Sequence, residues 1–157
     1  MIRDGQISGE CPGQIHDGVA WWVGACFVAV AKTSRLAVAH DGRTHTGTFH
    51  LRFLQGAINS GHWACEVTDV GAADEAGLLH AMTTLGGVPG AFLATSGDRS
   101  PLMLGIRLYD ADGRSVEDHN GLGDIRDMID ADRVPLPVND ACKGRVIGRP
   151  DLIGADR

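Results

Sequence analysis

The sequence lacks the basic clusters that nucleic-acid-binding proteins carry. Its 14 Lys and Arg are outnumbered by 20 Asp and Glu, which gives a formal net charge of −6 and an isoelectric point near 5.5. No block of five or six basic residues interrupts this acidic balance. The composition therefore argues against a nucleic-acid partner and against binding to an anionic membrane surface.

Cysteine is sparse, and long apolar runs are missing. The four cysteines form no C-x-x-C pair, and no secretion signal is recognisable, which disfavours both disulfides and a zinc site. The longest apolar run, 19–31, is shorter than the roughly 18 residues that a membrane-spanning helix needs. We therefore expect a cytoplasmic protein with reduced thiols, no membrane partner, no cofactor and no metal site.

What is present is an alternation of short apolar strands with amphipathic helices. A chain of 157 residues with 43% hydrophobic content can build one core. We expect a three-layer α/β/α domain over 1–132, with a mixed sheet of about four strands, and an extended tail over 133–157. The main strands are expected at 36–39, 63–67, 91–94 and 106–108. The helices are expected at 14–32, from Thr44 or Thr46 to just before Gly61, at 72–85 and at 122–129.

A polar loop follows the strand at 91–94, at the kind of strand end where open α/β sheets bind ligands. Ser96 in this loop is either a phosphorylatable nucleophile or a hydroxyl that caps backbone groups. Arg43 lies at a predicted helix N-terminus, where amide dipoles favour anions, although it could equally pair with Asp41 or Asp98. The candidate ligand-binding residues are Arg43, Thr44, Thr95, Ser96, Asp98, Arg99 and Ser100.

Three histidines flank the same region. His40, His45 and His50 match no metal-ligand spacing, so they are interpreted as solvated or packed imidazoles.

The first predicted helix is apolar on nearly every side. Its outer positions Trp22, Ala25 and Ala29 recur at helical spacing, and a helix of this kind is normally buried on both sides. We predict a homodimer that uses these three residues as its interface. The alternative is that the C-terminal tail folds back and covers the helix within one chain.

Four motifs occur in order along the chain. Ala20, Gly24 and Phe27 fit A-x-x-x-G-x-x-F, and the segment A-H-D-G-R at 39–43 fits G-R-D-G-R. V-T-D-V-G at 67–71 fits V-x-D-x-G, and 105–113 fits N-G-x-K-x-x-x-x-x-G. This order resembles the first domain of the α-D-phosphohexomutases, the phosphoglucomutase and phosphomannomutase family.

The resemblance implies a serine loop, T-A-S-H-N-P, that passes phosphate to and from a sugar. Alignment without a gap places Gly97 at the serine, and one inserted residue places Ser96 there. The family's arginines of D-I-R-G and G-R-D-G-R correspond to Ser8 and His40, and Asp98 adds an acidic residue to the loop. Phosphoryl transfer depends on neutralising charge, so these replacements indicate degenerate motifs.

The chain is thus expected to be a free-standing phosphohexomutase domain I, inactive as a mutase on its own. We expect it to act as a binding or assembly module with a site for a sugar phosphate or another anion. The alternative is an enzyme, or one subunit of a split intramolecular phosphotransferase, that uses Ser96 and a partner protein carrying the other domains.

Overall fold

The computed structural model describes residues 2–3, 6–11, 15, 17–59, 65–97, 99, 102–117, 121–131 and 143–153. The strands are β1 (Ile2–Arg3), β2 (Gln6–Cys11), β3 (Arg35–His40), β4 (Glu66–Ala72), β5 (Gly90–Ser96), β6 (Leu102–Tyr109) and β7 (Arg145–Gly148). The helices are α1 (Asp17–Ala31), α2 (Thr44–Ala57), α3 (Glu75–Thr84) and α4 (Leu122–Asp130), and a 3-10 helix covers Pro150–Ile153.

One mixed sheet runs through the domain in the order β1-β2-β6-β5-β3-β4-β7. Strands β3, β4, β5 and β7 are parallel neighbours, whereas β6 is antiparallel to both β5 and β2. The expected α/β/α class with a mixed sheet is confirmed. The expected count of about four strands is wrong, because the described residues form seven. The two edge strands β1 and β7 are short and carry few apolar residues, so periodicity does not single them out.

Two apolar clusters fill the space on the two sides of the sheet. Helices α1, α2 and α4 pack on one face, and their core includes Phe27, Phe53 and Ile125. Helix α3 and the 3-10 helix pack on the other face, around Leu78 and Leu152. The described helices are all too short or too polar to cross a membrane.

Helix α1 is buried chiefly by α2 within the same chain. A Cβ atom on Gly24 would overlap the carbonyl oxygen of Phe53, and one on Gly56 would overlap that of Trp21. The two glycines therefore allow close approach of the two helix backbones. Of the three predicted interface residues, Ala25 is fully buried in one chain and Trp22 is 36% exposed.

This burial corrects the expectation for the first helix. Ala25 is covered in one chain and Ala29 is half-buried, so neither offers the open outer surface that the spacing predicted. Among the described residues, α1 packs against α2 and α4, and most of the C-terminal tail lies outside the described residues. A homodimer through Trp22 stays a prediction.

The predicted tail contributes to the domain where it is described. Strand β7 pairs in parallel with β4, and Leu152 is 7% exposed in the core beside α3. Residues 143–153 are therefore part of the sheet and its packing rather than a linker.

Candidate functional site

The carboxyl ends of β3 and β5 are joined by the turn that leads from β3 into α2. Asp41 in this turn accepts hydrogen bonds on both carboxylate oxygens: Oδ1 from the Arg43 backbone N–H at 3.0 Å and Oδ2 from the Thr95 N–H at 2.9 Å. One side chain thus fixes both the start of α2 and the end of β5.

Arg43 strengthens the same connection. Its guanidinium donates to the carbonyl oxygen of Thr95 at 2.6 Å and to that of Gly97 at 2.5 Å. The guanidinium therefore bonds backbone carbonyls rather than the predicted carboxylate of Asp41, and Asp98 lies outside the described residues along with Ser100. The anion-binding role of Arg43 stays a prediction. In the structure, its guanidinium holds the end of β5 through the carbonyls of Thr95 and Gly97.

The predicted cap of α2 takes a different form. Arg43 is the N-cap residue and its side chain makes no capping hydrogen bond, while Thr44 is already the first helical residue. The Thr46 hydroxyl instead lies 2.9 Å from the Thr95 hydroxyl, and both side chains are buried. Thr46 thus ties the first turn of α2 to β5.

Alternation along β5 separates the predicted ligand residues. Thr95 faces α2 and is 6% exposed, whereas Ser96 is exposed at the end of the strand. Successive side chains of a strand point to opposite faces, so Ser96 belongs to the face opposite α2. Thr44 and Arg99 are also exposed.

Ser96 lines an open pocket of about 350 Å³ on this second face. The pocket lies across β2, β6 and β5, and the register pairs Ser8 with Gly105 and Gly105 with Ala94. Ser8 is therefore level with Ala94, and Ser96 lies two strand spacings across the sheet and two residues further along β5, roughly 12 Å from Ser8 between backbones. The described lining residues are all uncharged: Gln6, Ser8, Ala94, Thr95, Ser96, Met103, Leu104 and Gly105.

The candidate list from the sequence misses Gln6, Met103 and Gly105 as pocket residues. The available signal is the alternation of Q-I-S-G-E over 6–10, which places Gln6 and Ser8 on one face of β2. Pairing of β2 with β6, about 100 residues later in the chain, is not readable from that alternation.

A line of polar contacts borders the pocket. Arg107 Nε donates to Gln6 Oε1 at 3.3 Å, and Arg107 Nη1 lies 3.8 Å from Glu75 Oε2. The Tyr109 hydroxyl donates to the same Glu75 oxygen. Burial, together with the adjacent Glu75 carboxylate, raises the pKa of Tyr109 to about 12, so this hydroxyl keeps its proton at neutral pH.

His40 ends β3, and His45 and His50 lie on α2. His50 Nε2 is 3.0 Å from Asp69 Oδ1, which also accepts the Gly71 N–H at 3.0 Å. The rings of His40 and His50 lie 4.2 Å apart between centroids, while His45 is exposed on α2. His40 Nδ1 accepts the Gly42 N–H at 3.0 Å.

The pKa of His40 and the pKa of Asp69 are each shifted by surrounding groups that act in opposite directions. Burial and the charge of His50 lower the pKa of His40, against a smaller opposing effect of Asp69 and Asp41. Burial raises the pKa of Asp69, but the hydrogen bond and charge of His50 and the Gly71 N–H outweigh it and hold that pKa below its usual value. Among the described residues, no three His, Cys, Asp or Glu side chains are grouped as a metal site.

The cysteines offer no reactive thiol in the part of the chain that the structure covers. Cys11, Cys26 and Cys65 are free and buried, and burial raises the pKa of Cys26 and of Cys65 to about 12. Cys11 ends β2, and Cys142 lies outside the described residues.

Comparison with known proteins places these features in a family context. No protein-family model matches the chain. The chain is 23% identical over 138 residues to a phosphomannomutase of Escherichia coli, covering 88% of this chain and 29% of that protein. It is 22% identical to a phosphomannomutase of Klebsiella pneumoniae, covering 88% of this chain and 85% of that protein.

Solved structures agree on the fold. A phosphoglucomutase/phosphomannomutase family protein of Burkholderia thailandensis superposes with a TM-score of 0.67 at 17% identity, covering 95% of this chain. A protein of Thermus thermophilus, assigned as a phosphomannomutase, gives a TM-score of 0.72 at 18% identity, covering 96% of this chain. The predicted relation to the phosphoglucomutase and phosphomannomutase family is confirmed. The chain spans about a third of the length of either solved structure.

The phosphohexomutase motifs can now be located in space. Ser8 and Ser96, predicted from the sequence to correspond to the family's D-I-R-G arginine and, with one inserted residue, to its phosphoserine, both line the pocket on the second face. The G-R-D-G-R counterpart, 39–43, lies at the neighbouring strand end and is bonded to β5 through Asp41 and Arg43.

Proposed function

We propose that this chain is a sugar-binding module built on a phosphohexomutase domain I fold, without mutase turnover of its own. The observation that carries the proposal is the pocket shared by Ser8 and Ser96 across β2, β6 and β5. The relatives that the chain matches are phosphomannomutases, which supports a hexose or hexose derivative as the ligand.

The chemistry of the pocket supports binding over phosphoryl transfer. Transfer of a phosphoryl group needs cationic groups positioned against the developing charge. None of the described residues that line this pocket carries a charged side chain, and the guanidinium of Arg43 donates to the carbonyls of Thr95 and Gly97. A sugar can bind such a surface through hydroxyl and amide groups.

Two measurements on the 157-residue chain test this proposal. Calorimetric titration with D-mannose, D-glucose and their 1-phosphates is expected to show binding of at least one of them. A coupled mutase assay with magnesium and a hexose bisphosphate is expected to show no turnover. Failure of every sugar to bind, or turnover well above the uncatalysed rate, contradicts the proposal.

A second candidate function rests on the exposure of Ser96 at the end of β5. In this alternative, Ser96 accepts a phosphoryl group, and the chain works as a subunit of a split phosphotransferase with a partner protein. Intact-mass measurement after incubation with a hexose bisphosphate would show a phosphate adduct that disappears in Ser96→Ala. An unmodified mass would count against this candidate.

A further inference from the structure

The pocket on the second face has a donor set suited to an uncharged ligand. Resting on the proposed function, we infer that it binds an unphosphorylated hexose or a hexoside in preference to a hexose phosphate, with Gln6 as a hydrogen-bond donor that Arg107 orients. The inference concerns selectivity at the site, which the proposed function leaves open.

The first step is the orientation of the Gln6 amide. A guanidinium can only donate hydrogen bonds, so the contact of Arg107 Nε at 3.3 Å requires the oxygen of Gln6 on that side. The oxygen also lies nearest to Gly105, where an added Cβ would meet it at 3.5 Å. Since Arg107 engages the oxygen, the two hydrogens of the Gln6 amide nitrogen are the donors that this side chain can offer to a ligand oxygen.

The second step is the set of hydroxyls around the same space. Ser8 and Ser96 line the pocket, and each hydroxyl can donate one hydrogen bond and accept others. Sugar hydroxyls have the same dual capacity, so donors and acceptors can be matched on both sides. A phosphate dianion offers acceptors only, so it can use the donor of each serine but leaves the serine acceptors without a partner from the ligand.

The third step is the shape of the floor. Gly105 has no side chain and lies between Ser8 and Ala94 in the register, while Met103 beside it is 43% exposed. The floor is therefore shallow and apolar, with a thioether that adapts to irregular surfaces. The C–H face of a pyranose ring can pack there while its hydroxyls reach Gln6 and the serines.

The fourth step is the electrostatic setting. Arg107, the cation that contacts Gln6, lies 3.8 Å from the Glu75 carboxylate, and both side chains are about half exposed at 51% and 40%. Glu10 shares the outer face of β2 with Gln6 and Ser8. The charge of Arg107 is thus offset by the Glu75 carboxylate, so an anionic ligand gains little net attraction from it.

The test compares three probes by calorimetry and by amide shifts of the ¹⁵N-labelled chain. Methyl α-D-mannoside is expected to bind about threefold to tenfold more tightly than mannose 1-phosphate, since Glu75 offsets the charge of Arg107 and the serine acceptors are matched only by sugar hydroxyls. Inorganic phosphate is expected to leave the amides of Ser8, Ser96 and Gly105 unshifted.

Variants separate selectivity from folding. Gly105→Leu fills the pocket floor and is expected to weaken hexoside binding more than tenfold, because the sugar ring loses its contact with that floor. Gly105→Ala places a methyl in ordinary contact distance and serves as the milder variant if the leucine disturbs the sheet. Its expected effect is a smaller loss with an unchanged melting temperature.

Arg107→Met tests the positioning role. It removes the guanidinium that fixes the amide of Gln6 while keeping a long side chain, and it is expected to weaken hexoside binding severalfold without lowering the melting temperature. If the variant binds the hexoside as tightly as the parent chain, the role of Arg107 is refuted.

The outcomes distinguish the inferred selectivity for an uncharged sugar from the proposed function of sugar binding. Tighter binding of mannose 1-phosphate than of the hexoside, with shifts at Ser8 and Ser96, overturns the inference and leaves the proposed function standing. Absence of binding by every sugar and sugar phosphate overturns both.

Discussion

Asp41 and Thr95 are joined by a hydrogen bond of 2.9 Å between a carboxylate oxygen and a backbone N–H, across 54 residues of sequence. The second oxygen of the same carboxylate accepts the Arg43 N–H at 3.0 Å. Since both oxygens accept from N–H groups, an amide of the same shape can satisfy only one of them.

We therefore predict that Asp41→Asn lowers the free energy of unfolding by about 1–3 kcal/mol, the cost of leaving one partly buried N–H without an acceptor. Urea unfolding measures the change. Asp112→Asn is the matched control, because the Asp112 side chain is exposed in a turn and its loss is expected to change stability by less than about 0.5 kcal/mol. Equal stability of the two variants would contradict the role given to Asp41.

Two glycines of α2 give opposite predictions for the same substitution. A Cβ on Gly56 would overlap the Trp21 carbonyl, whereas one on Gly47 meets no atom within 4 Å. Gly56→Ala is expected to lower the unfolding free energy by about 3 kcal/mol or more through overpacking. Gly47→Ala is expected to raise it by about 0.5–1 kcal/mol through helix propensity. Denaturation of both variants checks the α1–α2 contact, and a neutral Gly56→Ala would refute it.

The pH dependence of stability follows from His40. Its pKa is lowered by burial and by His50, with Asp69 and Asp41 opposing, so the unfolded chain binds this proton more readily than the folded chain. The contribution of neutral His40 to the free energy of unfolding is therefore fully present above the unfolded pKa of about 6.5. It is lost as the pH falls through that value toward the lower pKa of the folded chain.

The urea midpoint measured between pH 7.5 and pH 5 is expected to fall with decreasing pH. The slope should flatten in His40→Gln and persist in His45→Gln, since His45 is exposed. The lowered pKa of Asp69 adds a separate loss, which begins only as the pH falls below about 3.8–3.9. A slope that is unchanged in His40→Gln would contradict this assignment.

The centre of the fold could be predicted from the sequence because its signals are local. The apolar runs that became β3 and β5 are buried on both faces, and such strands are continuous in hydropathy. The edge strand β7, with exposed Arg145 and Val146, depends on pairing with β4 and leaves no periodic signal.

The candidate site was predictable only in part for a related reason. The sequence locates Ser96 and Arg43 near strand ends, but it does not say that Arg43 donates to backbone carbonyls. Nor does it bring Gln6 and Gly105 to the same pocket as Ser96. Those relations depend on the register between β2 and β6, which long-range pairing decides.

The proposed homodimer now depends on Trp22, which keeps 36% of its surface exposed. A dimer that buries this indole should lose its contact in Trp22→Glu, because burying a charged carboxylate is unfavourable. Light scattering at micromolar concentration is expected to give a dimeric mass for the parent chain and a monomeric mass for the variant. A monomeric parent, or a dimer that the variant leaves intact, would refute the interface.

The most direct test of the account is the location of a bound hexose on the labelled chain. With a saturating concentration of D-mannose, the account predicts that the largest amide shifts fall on Ser8, Ser96 and Gly105, which line the pocket. Shifts confined to the turn at 40–43 and the first turn of α2, with these three amides unmoved, would contradict it.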